Sequence, residues 1–162
     1  MAKRKWRQNI QRIDHIVMVA EPENVDSAAE TFAKLFDIEW EGPFDAEEVG
    51  LRCYVSWDAG LELVSPFDKS KMPDMAEFLE THGEGIYRVV FGVSDREAAL
   101  ARAESMGLEV LFRNDALKSN PIWKDRFARI DLSGITPVHG VRINFGQIEP
   151  LPDPESGEKG SP

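Results

Sequence analysis

The chain has 162 residues, enough for one domain with a sizeable core, and no run approaching the roughly 18 apolar residues of a membrane span. A net charge of −10 disfavours non-specific nucleic-acid binding, which feeds on clustered Lys and Arg. With 42% hydrophobic and 30% charged residues, the composition is that of a globular protein, and a small ligand is a better expectation than a polyanion.

Residues 1–11 form a basic arm with no apolar segment behind it, which does not read as a secretory signal. "RIDHIVMVA" then alternates as a strand. "DSAAETFAKLF" reads as a helix, with Ser27 and Glu30 spaced for a capping box and Phe32, Leu35 and Phe36 as its buried stripe. "LRCYVSW" and "GLELVS" are strands around a hairpin turn at Asp58-Ala59-Gly60. A short helix at 72–82 ends at Gly83. "IYRVVFGV" is a strand, and "SDREAALARAESMG" a helix with Ser94 and Glu97 as its capping box. "LEVLFR", "RFARIDL" and "GVRINFG" complete the strands, and residues 148–162, rich in Pro, Gly and acids, read as a flexible tail.

The two halves repeat each other. "IDHIVMVA" at 13–20 aligns with "IYRVVFGV" at 86–93, and "AKLFDIEW" at 33–40 with "AESMGLEV" at 103–110. The expected architecture is therefore an α+β domain over residues 12–147. It consists of two tandem βαβββ modules, about 12–66 and 84–147, in a curved, partly closed mixed sheet around a central cavity.

Side chains alternate across a strand, so polar residues inside apolar strands can be assigned to a face. His15 shares a face with Val17, and Arg88 with Val90; Glu62 opposes Leu61 and Leu63, and Asn144 opposes Ile143 and Phe145. With helices on the more apolar faces, these four residues look toward the concave side. Under the repeat His15 corresponds to Arg88 and Glu62 to Asn144.

On these segments, above all "LELVSP" and "FLETHGEGIYRVVFGVSD", the chain resembles the vicinal-oxygen-chelate superfamily, the glyoxalase and bleomycin-resistance group, and within it the methylmalonyl-CoA epimerase branch. The resemblance implies a homodimer that acts on a small carboxylate or acyl thioester through an enolate-like intermediate. It also implies a divalent metal held by four side chains, usually His, Glu or Gln, His and Glu. This chain has Arg88 in place of the second His and Asn144 in place of the last Glu. Arg has no lone pair for a metal and brings its own charge, so the expectation is a site without a metal. A metal-independent isomerase, epimerase or lyase is the preferred reading, with Arg88 and His15 stabilising an oxyanion.

Arg88 then needs a partner, either Glu62 across the pocket or an anionic ligand. Glu48, in "AEEVGLR" before the third strand, matches the position of a family base, and Glu62 is the other candidate to move a proton. Asn144, Tyr54, Arg52 and Arg142 are candidate ligand contacts. Two rival readings keep the fold: a binding protein without turnover, and a conventional enzyme holding a divalent ion through His15 and Glu62. Cys53, the single cysteine, reads as packing and fits a reducing cytoplasm. Trp57 and Trp123 read as packing aromatics, and Lys118, Lys124, Arg126 and Arg129 as a solvated basic face.

Overall fold

The structure, a computed structural model, describes residues 9–152. Residues 1–8, most of the expected basic arm, and 153–162, most of the expected tail, lie outside the described residues. The strands are β1 (Arg12–Val19), β2 (Glu41–Ala46), β3 (Leu51–Ser56), β4 (Leu61–Pro66), β5 (Gly85–Gly92), β6 (Val110–Asp115), β7 (Phe127–Ile135) and β8 (Ile143–Pro150). The helices are α1 (Val25–Phe36), α2 (Pro73–His82), α3 (Arg96–Ser105) and α4 (Ala116–Ser119), followed by a 3-10 turn at Pro121–Trp123. None is long and apolar enough to cross a membrane.

All eight strands form one mixed sheet in the order β2-β3-β4-β1-β5-β8-β7-β6. β1 runs parallel to β4, β5 parallel to β8, and β1 meets β5 antiparallel at the junction of the two βαβββ halves. The repeat seen in the letters is a repeat in space. β1 and β5 have the same burial pattern residue by residue. Val17, two past His15, pairs with Glu62; Val90, two past Arg88, pairs with Asn144.

The sheet curls, and its side chains show why. Phe44 and Val55 from one end of the strand order share a core cluster with Ile130 and Ile148 from the other, bridged by Leu117, Trp123 and Phe127. Glu41 on edge strand β2 accepts hydrogen bonds from Trp123 Nε1 (3.0 Å) and Arg126 Nη1 (2.8 Å), so the α4 region straps one half to the other. On the outer face α1 covers Met18, Tyr54 and Leu63, while α3 covers Ile135, Ile143 and Phe145. α2 packs Met75, Phe78 and Leu79 with Val17, Val64, Tyr87 and Val90.

Several boundaries differ from the sequence expectation. β8 continues to Pro150, with Ile148 fully buried, and Leu151 N donates to Arg126 O, so residues 148–151 belong to the fold and not to a tail. Residues 9–11 are likewise held, Gln11 N donating to Gly92 O. β2 escaped the periodicity because Gly42 and Pro43 read as breakers; as an edge strand it tolerates a residue without an N–H. In α1 the helix starts before Ser27, whose hydroxyl donates back to Asn24 O instead of capping. Its buried stripe is Val25 and Ala29 with Phe32 beside them; Leu35 and Phe36 are exposed. Small residues on the inner face let the helix lie close to the sheet.

The cap of α3 is Asp95, not Ser94: Asp95 Oδ1 accepts from Ala98 N at 2.9 Å, while Glu97 turns outward to Arg96 and Arg113. Asp95→Ala is expected to cost about 1 kcal/mol in urea denaturation, and Ser94→Ala close to nothing. The reverse order would place the cap where the sequence pattern had it. The hairpin turn is as expected, with Gly60 at φ 67°, a conformation that suits glycine, and Gly60 N donating to Trp57 O.

Candidate functional site

His15, Glu62, Arg88 and Asn144 lie on the inner face of the sheet, as strand alternation required. His15 pairs across the β1–β5 junction with Val90, and Arg88 with Val17, which makes His15 and Arg88 diagonal neighbours, about 7–8 Å apart at the backbone.

Each of the two strands carries one extra residue immediately before its polar group. Asp14 is inserted opposite the Phe91–Val90 step, and Tyr87 opposite the Val17–Met18 step. On a regular strand neighbours point to opposite faces. The bulges break that alternation, and each inserted residue comes round to its neighbour. Asp14 Oδ1 lies 2.7 Å from His15 Nδ1, and the Tyr87 ring centre lies 4.9 Å from the Arg88 guanidinium carbon.

The first half of the site is a hydrogen-bonded chain. Asn9 Nδ2 donates to Asp14 Oδ2, Asp14 holds Nδ1 of His15, and Nε2 of His15 faces Glu62 Oε2 at 3.4 Å. The Cys53 thiol donates to Glu62 Oε1 at 3.2 Å, and Trp57 packs its edge against the imidazole. Burial opposes the charge on His15, but hydrogen bonds and attraction from Asp14 and Glu62 outweigh it and push its pKa up to about 9. Burial also works against the Glu62 carboxylate, and the His15 contact overcomes it, leaving Glu62 below the usual range. Burial and the Glu62 charge hold the Cys53 thiol well above its ordinary value, which makes it a poor nucleophile.

The second half is cationic. Arg88 is buried at 6% exposure and Nη1 donates to Asn144 Oδ1 at 3.3 Å. Phe112 closes over it, 5.5 Å from ring centre to guanidinium carbon. Gly134 permits that approach: any Cβ there would collide with the Phe112 ring. Among the described residues no carboxylate lies within ion-pairing distance of Arg88, and Glu62 is engaged with His15 instead.

Other candidates fall elsewhere. Arg52 and Tyr54 face outward: Arg52 pairs with Asp45 and Asp26, and the Tyr54 hydroxyl donates to Asp26 at 2.7 Å beneath α1. Strand parity put them together but could not say which face. Glu48 is exposed in the β2–β3 turn and bonds to none of the four inner residues. Arg142 precedes β8 instead of lying in it, stacks on Phe78, and with Arg88 lines a cavity of about 510 Å³. In the 118–129 segment Arg126 pairs with Glu41, Arg129 with Asp131 and Lys118 with Asp115. Asp14, Cys53 and Tyr87 were missed as site residues. Only the first had a signal, an acid beside a strand histidine, and alternation argued against their contact.

The sequence profile of the Glyoxalase/Bleomycin resistance protein/Dioxygenase superfamily matches residues 14–121. The chain belongs to this superfamily. Solved structures share its fold. Methylmalonyl-CoA epimerase from Mycobacterium tuberculosis has a TM-score of 0.66 at 21% identity, over 91% of this chain and 92% of that one. A variant of the Streptomyces coelicolor methylmalonyl-CoA epimerase, in complex with 2-nitronate-propionyl-CoA, has a TM-score of 0.63 at 23% identity, over 85% and 97%. A hypothetical protein from Bacillus halodurans C-125 has a TM-score of 0.67 at 15% identity, over 88% and 97%. Comparison with curated protein sequences gave no match.

The metal implied by the superfamily resemblance does not fit these residues. Arg88 has no electron pair to give and Asn144 Oδ1 already accepts from it, which leaves only His15 and Glu62 of the four inner side chains as ligands. Among the described residues no three His, Cys, Asp or Glu side chains are grouped to hold an ion.

Proposed function

We propose that this superfamily member is a metal-independent isomerase, epimerase or lyase acting on a small carboxylate or acyl thioester. The observation that carries the reading is Arg88, a buried guanidinium with no acidic partner among the described residues and one of the residues lining a cavity. Burying a charge costs several kcal/mol unless it is paired, and a bidentate carboxylate or carbonyl oxygen is the matching partner. The solved relatives include methylmalonyl-CoA epimerases captured with acyl-CoA compounds, which supports an acyl ligand.

In this reading Arg88 anchors the substrate and stabilises the enolate-like anion, and His15, held as an imidazolium by Asp14, adds a second positive charge. Glu62 takes the proton next to the carbonyl. Its basicity is low, so the two cations must acidify the substrate instead. That same commitment of Glu62 to His15 and Cys53 favours a second reading, a binding protein without turnover.

Proton exchange separates the two. Small carboxylates and acyl thioesters incubated in deuterated water with chelator-treated protein should lose α-proton signal by NMR, and Arg88→Ala should prevent it. Exchange abolished by the chelator would end the metal-independent reading, and binding without exchange would favour the second.

A further inference from the structure

Apart from Arg88 and Arg142, the arginines among the described residues are paired or exposed. Arg52, Arg96, Arg113, Arg126 and Arg129 each lie within 4.0 Å of a carboxylate. Arg12 and Arg102 are exposed. Arg88 and Arg142 are the two that are buried or half-buried with no acidic partner among the described residues, and both line the same cavity.

Their placement is shared as well. The guanidinium carbon of Arg88 is 4.9 Å from the Tyr87 ring centre and that of Arg142 is 5.7 Å from it; Arg142 also lies 5.0 Å from the Phe78 ring centre. The remaining wall is apolar or aromatic, with Val141 and the His82 ring stacked on Phe78, and no Asp or Glu lines it. Aromatic faces hold each guanidinium in place without using its N–H donors, and beyond the Arg88 Nη1 bond to Asn144 those donors remain for a ligand.

We propose that the ligand is a small dianion, with one acidic group on Arg88, the other on Arg142, and a short apolar body against Tyr87 and Phe78. This rests on reading Arg88 as an anion anchor and adds a second anchor that selects for a second charge. A volume of about 510 Å³ leaves room for a ligand of that size.

Titration calorimetry with malonate, succinate and glutarate, each against the monocarboxylate of equal chain length, tests it. The best dicarboxylate should bind about tenfold or more tightly than its partner, as one further charged hydrogen-bonding group would give. Arg142→Gln should erase that preference by weakening dicarboxylates more than monocarboxylates, Arg142→Lys should retain part of it, and Arg88→Gln should weaken both classes. Equal binding of the two classes by the wild-type protein overturns the dianion alone, and needs no variant to fold. A preference that survives Arg142→Gln does the same. If no carboxylate binds at all, the Arg88 anchor falls with it.

Discussion

Replacing Arg88 with methionine and Asn144 with leucine together should stabilise the fold by about 1–4 kcal/mol while abolishing carboxylate binding. Arg88 is 6% exposed, and its guanidinium meets one amide oxygen and two aromatic rings. The rings return about 1–2 kcal/mol and the hydrogen bond about 1 kcal/mol, against several for dehydrating the charge. Methionine has nearly the same length and none of that cost. Asn144 must change too, since its buried Oδ1 would otherwise lose its donor at about 1–3 kcal/mol. Urea denaturation measures the first effect and calorimetry the second. A double variant less stable than the parent would make Arg88 a structural residue, its network net favourable without any ligand.

The second large effect is at His15. Its removal leaves Asp14 and Glu62 facing each other's site without the cation between them, and His15→Ala should cost about 3–5 kcal/mol near neutral pH. The pH dependence has a definite sign. A folded pKa of about 9 against an ordinary 6.5 means His15 binds its proton more tightly in the native state. The stabilisation, about 3 kcal/mol, is fully present below pH 6.5 and is lost as pH rises through 9. For Glu62, held below its ordinary 4.5, the same contact is present above that pH and lost as pH falls. The two are one interaction seen from both ends and count once. The stability gap between parent and His15→Ala should therefore be widest between about pH 4.5 and 6.5 and narrow toward pH 9 and beyond. A gap that stays flat from pH 6 to 9.5 would show that the imidazole is buried neutral.

How much of this was legible beforehand depends on the range of each interaction. The four inner residues were readable because alternation along a strand is local: His15, Glu62, Arg88 and Asn144 each declared a face by their apolar neighbours. The repeat gave their correspondence. Which acid pairs with which base was not readable. Glu62 was an equal candidate for Arg88, and the register of β4 on β1 brings it to His15 instead. Arg52 and Tyr54 show the same limit from the other side, since parity groups residues without saying which group α1 will cover. The bulges at Asp14 and Tyr87 are invisible along one strand, because an extra residue exists only relative to the strand it fails to match.

The amino-acid order alone determined the doubled module and the grouping of His15, Glu62, Arg88 and Asn144, which follow from residue type and short-range period, and it carried the resemblance to the superfamily. Tertiary structure alone decided the charge pairing, the neighbour-to-neighbour contacts made by the bulges, and the meeting of Arg88 with Arg142 around Tyr87. Those depend on how the sheet curls and where β8 begins, and curl is set by side chains far apart in the chain that share one core.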